Sequence, residues 1–364
     1  MGINLAVLVD GAFKHNASDI HLVQDSSPFF RIDGIMRPIQ SPPLTQDDLK
    51  TILAQILPPY VEANLRERRG ADFAWQPEER VRFRVSAYYE RERIRIVMRL
   101  IKIKLATLDD LDLPPVFKRM ALWQRGLVLL TGVTGSGKST TLAALLHEIN
   151  MADSRCIIAI EDPIEFLHTN LRSVVSQREV GRDVESFRHG LVQAVRQDPD
   201  VILIGEMRDP ETIATALRAA ETGHYVFSTM HTSNALHTVN RILAEFEESE
   251  HALLREQLAG NLRATVSQRL VRLKGGKGRC AALEIMVVNT TIQKLLLENE
   301  IPSIGTVIRQ RQDDMMLFDQ HLADLVRNGT IEEAEALLNV EDEFAFRRYV
   351  KGKLSTADRG GIIG

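Results

Sequence analysis

GLVLLTGVTGSGKST, residues 126–140, decides the fold of this 364-residue chain. Leu127–Leu130 is a short apolar run, long enough for a buried strand of a parallel sheet. The pattern G-x-x-x-x-G-K-S follows between Gly132 and Ser139, and Thr140–Ile149 then has apolar residues at helical spacing. A strand, a glycine-rich loop and a helix in this order are the context that a phosphate-binding loop requires. We therefore predict that the chain binds a nucleoside triphosphate.

The residue types in this loop suit that prediction. Glycines let backbone N–H groups converge on phosphate oxygens, and the helix N-terminus adds partial positive charge. The ammonium of Lys138 would bridge the terminal phosphates, and the hydroxyl of Ser139 would bind Mg²⁺, so ATP and Mg²⁺ are the expected cofactors. The alternative, a glycine-rich turn with a surface lysine, is disfavoured by the strand and helix that flank it. The predicted nucleotide-binding residues are Gly132, Thr134, Gly135, Ser136, Gly137, Lys138, Ser139 and Thr140.

Composition excludes several other classes of protein. The apolar and charged fractions, 44% and 26%, are those of an ordinary soluble protein, and a net charge of −4 does not recommend nucleic acid as the main partner. No apolar run approaches the roughly 20 residues of a membrane span, and the N-terminus shows no signal peptide. Cys156 and Cys280 cannot form a four-ligand zinc site by themselves. We expect a cytoplasmic protein that reaches the membrane only through partners.

Residues 1–101 predict a small α+β domain, and the polar, proline-punctuated residues 102–115 predict a linker. The expected elements are a helix at Leu5–Phe13, a strand at Asp19–Val23, two short strands within Pro28–Ile39, a helix at Thr45–Ile56 with Thr45 as its N-cap, and strands at Val81–Tyr89 and Ile94–Ile103. This half also has six closely spaced arginines, at 82, 84, 91, 93, 95 and 99. Most of them are expected on a solvated sheet face, and one or two could reach a triphosphate held by a neighbouring subunit.

From residue 116 onward, strands and helices alternate, which predicts an α/β domain with a parallel sheet. The expected strands are 127–130, 156–160, 201–204 and 225–229, and the expected helices are 116–123, 140–149, 186–196 and 210–221. The chain after Leu236 is expected to be mostly helical, with one apolar stretch at Ala281–Val288. Polar residues follow three of these strands, so we expect them to meet the phosphate loop at the carboxyl edge of the sheet.

Hydrolysis of a triphosphate also needs carboxylates. VILIGE at residues 201–206 is similar to a Walker B strand, in which Gly205 stands where aspartate is usual and Glu206 supplies the acid. Glu161, Asp162 and Glu165 add carboxylates after a second strand.

The sequence resembles the secretion ATPase superfamily (GspE/PulE) of type II/IV secretion and type IV pili, and within it the PilT/PilU-like retraction ATPases. The resemblance extends over about residues 5–350. Its motifs are the Walker A loop, IEDPIEF at 160–166 (aspartate box), RQDPDVILIGEMRDPET at 196–212 (Walker B), AETGHYVFSTMHT at 220–232 (histidine box), QREVG at 177–181 and ASDIHL at 17–22.

This resemblance implies a PAS-like N-terminal domain and a RecA-like ATPase domain, assembled as a homohexameric ring. It implies that Glu165 is the catalytic base, that Glu206 acts on Mg²⁺ through water, and that His231 couples phosphate state to motion. Arg84 and Arg99 fall where the family places arginines that contact nucleotide. The implied function is an ATPase that retracts type IV pili and works with an inner-membrane platform protein, and a sister retraction ATPase is a further candidate partner.

Three features separate the alternatives within this superfamily. The chain lacks the tetracysteine zinc element of extension and type II secretion ATPases. TIQKLLLEN at 291–299 lacks the arginines and glycine of the PilT motif AIRNLIREGK, and VGRDVESF at 180–187 is closer to PilU. An accessory ring with little hydrolysis of its own therefore stays an alternative. A nucleic-acid motor is disfavoured, because no basic stretch studded with aromatic residues is present.

Overall fold

A computed structural model describes residues 4–32, 34–78, 81–101 and 105–352. The chain divides into two compact units. The first contains Met1–Lys104 and the short segment Pro163–Leu167, and the second contains Leu105–Asp162 and His168–Gly364. Of the expected linker, residues 102–104 lie outside the described residues, and Leu108 is buried in the core of the second unit.

The first unit is built on a six-stranded antiparallel sheet with the order β3-β2-β1-β6-β5-β4. Its strands are β1 (Asp19–Leu22), β2 (Phe29–Ile32), β3 (Ile35–Pro38), β4 (Gly70–Glu78), β5 (Val81–Glu90) and β6 (Arg93–Ile101). Its helices are α1 (Leu5–Lys14), α2 (Gln46–Ile56) and α3 (Pro59–Arg68). The core lies between these helices and one face of the sheet, which is why apolar residues alternate along β5 and β6.

Helix α2 begins as its sequence predicts. The backbone N–H of Asp48 donates to the Thr45 hydroxyl at 3.1 Å, and the backbone N–H of Thr45 donates to the Asp48 carboxylate at 2.9 Å. This reciprocal pair is a capping box, which satisfies two backbone N–H groups that an isolated helix end would leave unpaired. The predicted N-cap is therefore confirmed.

The second unit is built on a seven-stranded sheet with the order β13-β12-β7-β11-β10-β8-β9. Its strands are β7 (Gly126–Thr131), β8 (Cys156–Glu161), β9 (Val174–Glu179), β10 (Val201–Ile204), β11 (Tyr225–Met230), β12 (Leu262–Arg272) and β13 (Arg279–Val287). Its helices are α4 (Val116–Ala121), α5 (Lys138–Ala152), α6 (Phe187–Ala194), α7 (Pro210–Glu221), α8 (Ala235–Ala244), α9 (His251–Asn261), α10 (Thr290–Leu297), α11 (Ile304–Arg309), α12 (Phe318–Arg327), α13 (Glu333–Leu337) and α14 (Glu343–Val350).

Every pair of neighbouring strands in this second sheet is parallel except the β12–β13 pair. Apolar cores cover both faces, one containing α4 and α5 and the other containing α6 to α10. The predicted α/β class and parallel sheet are confirmed. The expectation of a mostly helical chain after Leu236 is wrong for β12, an 11-residue strand that pairs with β7.

In the described part of the chain, no helix combines the length and the apolar character that a membrane crossing requires.

Candidate nucleotide-binding site

The phosphate loop leaves the sheet at the end of β7 and enters α5. Thr131 is the last residue of the strand, and Lys138 is the first residue of the helix. Gly132 and Gly137 have positive φ angles of 141° and 91°. A β-carbon on Gly132 would lie 2.4 Å from the carbonyl oxygen of Gln268, and one on Gly137 would lie 2.6 Å from that residue's side-chain nitrogen. Glycine is therefore required at both positions, because β12 packs directly against the loop.

The lysine of the loop is folded onto the loop itself. Lys138 is 8% exposed, and its ammonium donates to the carbonyl oxygens of Gly132 at 2.6 Å and Val133 at 3.1 Å. Ser136 is also buried, and its hydroxyl oxygen has no hydrogen-bond partner among the residues that the structure describes. A buried cation and an unpaired hydroxyl inside a glycine-rich loop fit a phosphate group.

The remaining predicted loop residues are open to solvent. Thr134, Gly135 and Ser139 are exposed, and Thr140 is half-buried in the first turn of α5. The hydroxyl of Ser139 is thus available to a ligand at the N-terminus of a 15-residue helix.

Glu206 and His231 are brought together at the carboxyl ends of β10 and β11. One carboxylate oxygen of Glu206 lies 3.3 Å from Nε2 of His231, and the other accepts from the Arg208 guanidinium at 2.6 Å. The Glu206 side chain is 15% exposed, whereas those of His231 and Arg208 are 44% and 70% exposed. The two residues that the sequence places after separate strands therefore form one cluster.

The charge of this cluster is set by its neighbours. Partial burial raises the pKa of Glu206, but the Arg208 guanidinium, His231 and Lys138 together outweigh burial and hold that pKa below its usual value. Hydrogen bonding to Glu206 in turn raises the pKa of Arg208. An ionised carboxylate that senses the charge of Lys138 is suited to act on a cation beside the phosphates.

Mg²⁺ fits these residues. No group of three or more His, Cys, Asp or Glu side chains able to hold a metal ion occurs in the described ranges. Mg²⁺ does not need one, because in phosphate-loop sites it keeps several waters and uses substrate oxygens with one or two protein ligands. The exposed Ser139 hydroxyl and the ionised Glu206 are chemically suited to be those ligands.

Gly205 has a steric explanation in this site. A β-carbon there would lie 3.1 Å from the ring of Phe187 and 3.3 Å from the carbonyl oxygen of Ile160. The hydroxyl of Thr229 also donates to the Gly205 carbonyl oxygen at 2.7 Å. An aspartate at this position would be crowded, so Glu206 is left as the acid at the end of β10.

Glu165 lies in the segment Pro163–Leu167, which groups with the first unit, and its side chain is half-buried. Its role as the base therefore stays a prediction. On β8, Glu161 accepts from the side-chain amide of Gln177 at 2.8 Å, which makes it a structural partner of β9. Asp162 is exposed and adds negative charge near Arg208.

Arg84 and Arg99 are direct cross-strand partners on β5 and β6, and both are exposed. They therefore share the sheet face that was predicted for them. Arg99 donates to the buried carboxylate of Asp19 at 2.9 Å, which also lies 3.6 Å from Arg31. Within the described ranges of the chain, no carboxylate pairs with Arg84. Arg84 is thus the better placed of the two to bind an incoming anion.

Two cavities were compared as possible binding sites for phosphate. One of about 280 Å³ lies against the phosphate loop and is lined by Gly132–Ser136 together with Ser233, Arg269 and Arg279. A larger one, about 750 Å³, lies in the first unit between α1 and the chain after β3. Its lining is mainly apolar, so the smaller cavity has the chemistry for phosphate.

The strand β12, which was not predicted, also supports the phosphate loop. Gln268 packs against the loop and accepts from the Thr141 hydroxyl at 2.9 Å, and the hydroxyls of Ser267 and Thr131 are 2.8 Å apart. The signal was the alternation within LRATVSQRLVR, residues 262–272, which is typical of a strand.

Comparisons with known proteins agree with this site. Residues 3–338 match the family described as "Type II/IV secretion system protein". The chain is 40% identical over 335 residues to the type IV pilus retractation ATPase PilT of Pseudomonas aeruginosa, which covers 92% of this chain and 97% of that protein. It is 36% identical over 347 residues to the type IV pilus ATPase PilU of the same organism, covering 95% and 91%. The crystal structure of the pilus retraction motor PilT with bound ADP has a TM-score of 0.89 at 36% identity, covering 95% of this chain and 99% of that one.

Proposed function

The chain belongs to the type II/IV secretion system protein family, and we propose that it is an ATP-hydrolysing motor that powers retraction of type IV pili. The predicted RecA-like ATPase fold is confirmed by the match to a solved retraction motor. The observation that carries the proposal is the meeting of the buried Lys138, the ionised Glu206 and His231 at one edge of the parallel sheet. This set supplies a phosphate cradle, an acid for Mg²⁺ and a residue able to respond to phosphate.

Each residue has a defined part in the proposed reaction, the attack of water on the terminal phosphoryl group of ATP. Lys138 leaves the two loop carbonyls and binds the terminal phosphates, and the loop N–H groups bind the others. The hydroxyl of Ser139 and, through water, the carboxylate of Glu206 would hold Mg²⁺, which would supply positive charge to the phosphates. Glu165 takes the proton from the attacking water, and Arg84 and Arg99 of a neighbouring subunit supply further positive charge to the phosphates.

His231 would report the outcome of that reaction. It lies beside Glu206 at the end of β11, and α8 begins four residues later. Loss of the terminal phosphate changes the charge that Glu206 and His231 face, and the chain between them and α8 transmits the change. We expect this step in a hexameric ring at the cytoplasmic face of the inner membrane, where a pilus platform protein receives the motion.

An accessory ring is the second candidate. VGRDVESF resembles PilU, and the chain matches PilU over 95% of its length. Such a ring would hydrolyse ATP slowly alone and act with a sister motor.

An ATPase assay of the purified chain tests the proposal. We expect Mg²⁺-dependent hydrolysis that Lys138→Ala abolishes and that single-stranded DNA does not stimulate. Hydrolysis that appears only after a sister retraction ATPase is added would favour the accessory ring, and hydrolysis that depends on DNA would overturn the proposal.

A further inference from the structure

A buried carboxylate lies within the sheet of the second unit, outside the residues assigned above. Glu284, on β13, is 3% exposed. One of its oxygens accepts from the backbone N–H of Ala235 at 2.9 Å. Burying a carboxylate is unfavourable unless it is paired, so this contact calls for a physical reason.

Its partner, Ala235, is the first residue of α8, and the three residues before it lead directly to His231. The side chain of Asn234 caps the same helix by accepting from the backbone N–H of His237 at 2.9 Å. Glu284 and Asn234 thus satisfy two of the N–H groups that the helix leaves unpaired at its start. The partial positive charge of a ten-residue helix also favours a carboxylate at this end.

The same carboxylate lies in register with the end of the phosphate-loop strand. Glu284 pairs with Ser267 on β12, and Ser267 pairs with Thr131 on β7, so the three side chains lie on one face of the sheet. The hydroxyls of Thr131 and Ser267 are 2.8 Å apart and fully buried. Thr131 immediately precedes Gly132. One row across three strands therefore connects the base of the phosphate loop with the start of α8.

The groups around Glu284 act on its charge in both directions. Burial is the largest effect and raises its pKa to about 7, whereas the Ala235 N–H and Arg269 lower it. Glu341, before α14, and Asp319, on α12, raise it again through their negative charge. The charge of Glu284 is thus sensitive to pH in the physiological range.

We propose that Glu284 is a positioning residue, whose carboxylate holds the start of α8, and with it the His231 loop, in place relative to the phosphate loop. The inference rests on the proposed function, because it gives His231 a part in ATP hydrolysis. It assigns Glu284 no contact with nucleotide. The predicted defect is therefore in kcat, and the affinity for ATP should be retained.

Glu284→Gln tests this role, since it keeps the size of the side chain and one acceptor but removes the charge. We expect kcat to fall about tenfold with KM for ATP changed less than about twofold, because a small misplacement near the reacting groups affects the chemical step most. In the unsubstituted protein kcat should fall as pH drops from 8 to 6, since protonation removes the same charge. Glu284→Gln should lack this step. A step that persisted in the variant would come from a group other than Glu284.

Asp319→Asn is the matched control. Asp319 is also buried, and its carboxylate accepts from the backbone N–H groups of Glu341 at 2.8 Å and Asp342 at 2.9 Å. In the described residues its hydrogen bonds go to the chain before α14 and not to α8, so Asp319→Asn should keep the pH-dependent step in kcat. The step should move to lower pH, because the negative charge of Asp319 raises the pKa of Glu284. Hydrogen exchange at Ala235, measured without nucleotide, reads the contact directly and should be faster only in Glu284→Gln.

The two proposals fail in different ways. If hydrolysis depends on Lys138 but Glu284→Gln has the kcat, the pH profile and the Ala235 exchange of the unsubstituted protein, the positioning role is overturned and the ATPase stands. If Lys138→Ala hydrolyses ATP as well as the unsubstituted protein, the ATPase proposal fails, and Ala235 exchange alone then decides whether Glu284 holds α8.

Discussion

At the residue scale, the position of Lys138 gives the sharpest expectation. Its ammonium is already inside the loop, held by two carbonyl oxygens, so little of the side chain has to be ordered when phosphate binds. We expect Lys138→Ala to lower kcat by at least about 100-fold, because the loop offers no other positive side chain to the terminal phosphates. Lys118→Ala is the control, since that lysine is exposed on α4 and pairs with Asp109. Hydrolysis should be measured for both at saturating Mg²⁺.

Substitution of Glu165 and substitution of Glu206 should affect the Mg²⁺ dependence of turnover differently. Glu165→Gln is expected to bind ATP normally and to lose about 100-fold or more in turnover, the scale for removal of a general base. Glu206→Gln should instead raise the Mg²⁺ concentration needed for half-maximal turnover, because its carboxylate is ionised beside Lys138. A large loss in Glu206→Gln at saturating Mg²⁺, with none in Glu165→Gln, would move the base from Glu165 to Glu206.

The buried Glu284 should also be visible in the stability of the fold. The pKa of Glu284 is about 7 in the folded chain, whereas the ordinary value for a glutamate is 4.5. Between these two pH values the carboxyl group is protonated in the folded chain and ionised in the unfolded chain. Stability from this group is therefore greatest at low pH and is lost as pH rises from about 4.5 to about 7. Relative to the unsubstituted protein, Glu284→Gln should gain stability between pH 5 and 8, by at most on the order of 3 kcal/mol. Urea denaturation at both pH values measures this, and an equal difference at both would contradict it.

At the element scale, the capping box of α2 gives a prediction for the first unit. Thr45→Ala removes one of the two reciprocal contacts with Asp48 and should lower the free energy of unfolding by about 1 kcal/mol. Thr51→Ala is the matched control in the same helix. The Thr51 hydroxyl only donates to the Asp47 carbonyl oxygen within the helix, so its loss should be neutral or slightly stabilising. Equal losses in the two variants, measured by urea denaturation, would mean that the cap contributes nothing specific.

The elements that could be predicted from sequence have strong local signals. The helix α7 and the strand β10 have the predicted bounds. Asp209 and Pro210 mark the start of the helix, and the strand is the uninterrupted apolar run VILI. The strand β12 was missed because it is buried on both faces near a helical stretch, so only a partial alternation identifies it. The helix α3 was missed because it is polar and begins at Pro59, the second of two adjacent prolines.

In the candidate site, too, only the residues with a strong local sequence signal could be predicted. The phosphate loop, Glu206 and His231 could be predicted because each follows an apolar strand, and the carboxyl ends of parallel strands meet at one edge. Gln268 and Glu284 could not, because they come from β12 and β13, and only the strand register brings them to that edge. The pKa of a buried group also depends on residues that are distant in sequence, as the lowering of the Glu284 pKa by Arg269 illustrates.

At the scale of the whole molecule, the arginines of the first unit predict a shared site. Arg84 and Arg99 are exposed partners on one sheet face, where a triphosphate held by a neighbouring subunit could contact them. We expect Arg84→Ala or Arg99→Ala to lose roughly 10³-fold in turnover if either acts as an arginine finger. Arg91→Ala is the control, an exposed arginine in the turn between the same two strands.

Mixing subunits shows whether that site is shared between chains. Lys138→Ala subunits and Arg84→Ala subunits should each be inactive alone, and mixed rings should recover part of the activity. The shared site would be contradicted if both arginine variants hydrolyse ATP normally and if mixing them with Lys138→Ala subunits restores no activity to the latter. The closely spaced arginines would then only form a solvated sheet face.

If ATP hydrolysis by this chain retracts pili, loss of its gene should change how cells with surface pili move. The gene is deleted in its own host, and surface pili and twitching are scored before and after the gene is returned in two forms. We expect the deletion strain to keep its surface pili and to lose twitching, and we expect the unsubstituted gene, but not the Lys138→Ala gene, to restore movement. Normal twitching in the deletion strain, or full rescue by Lys138→Ala, would contradict the proposed function.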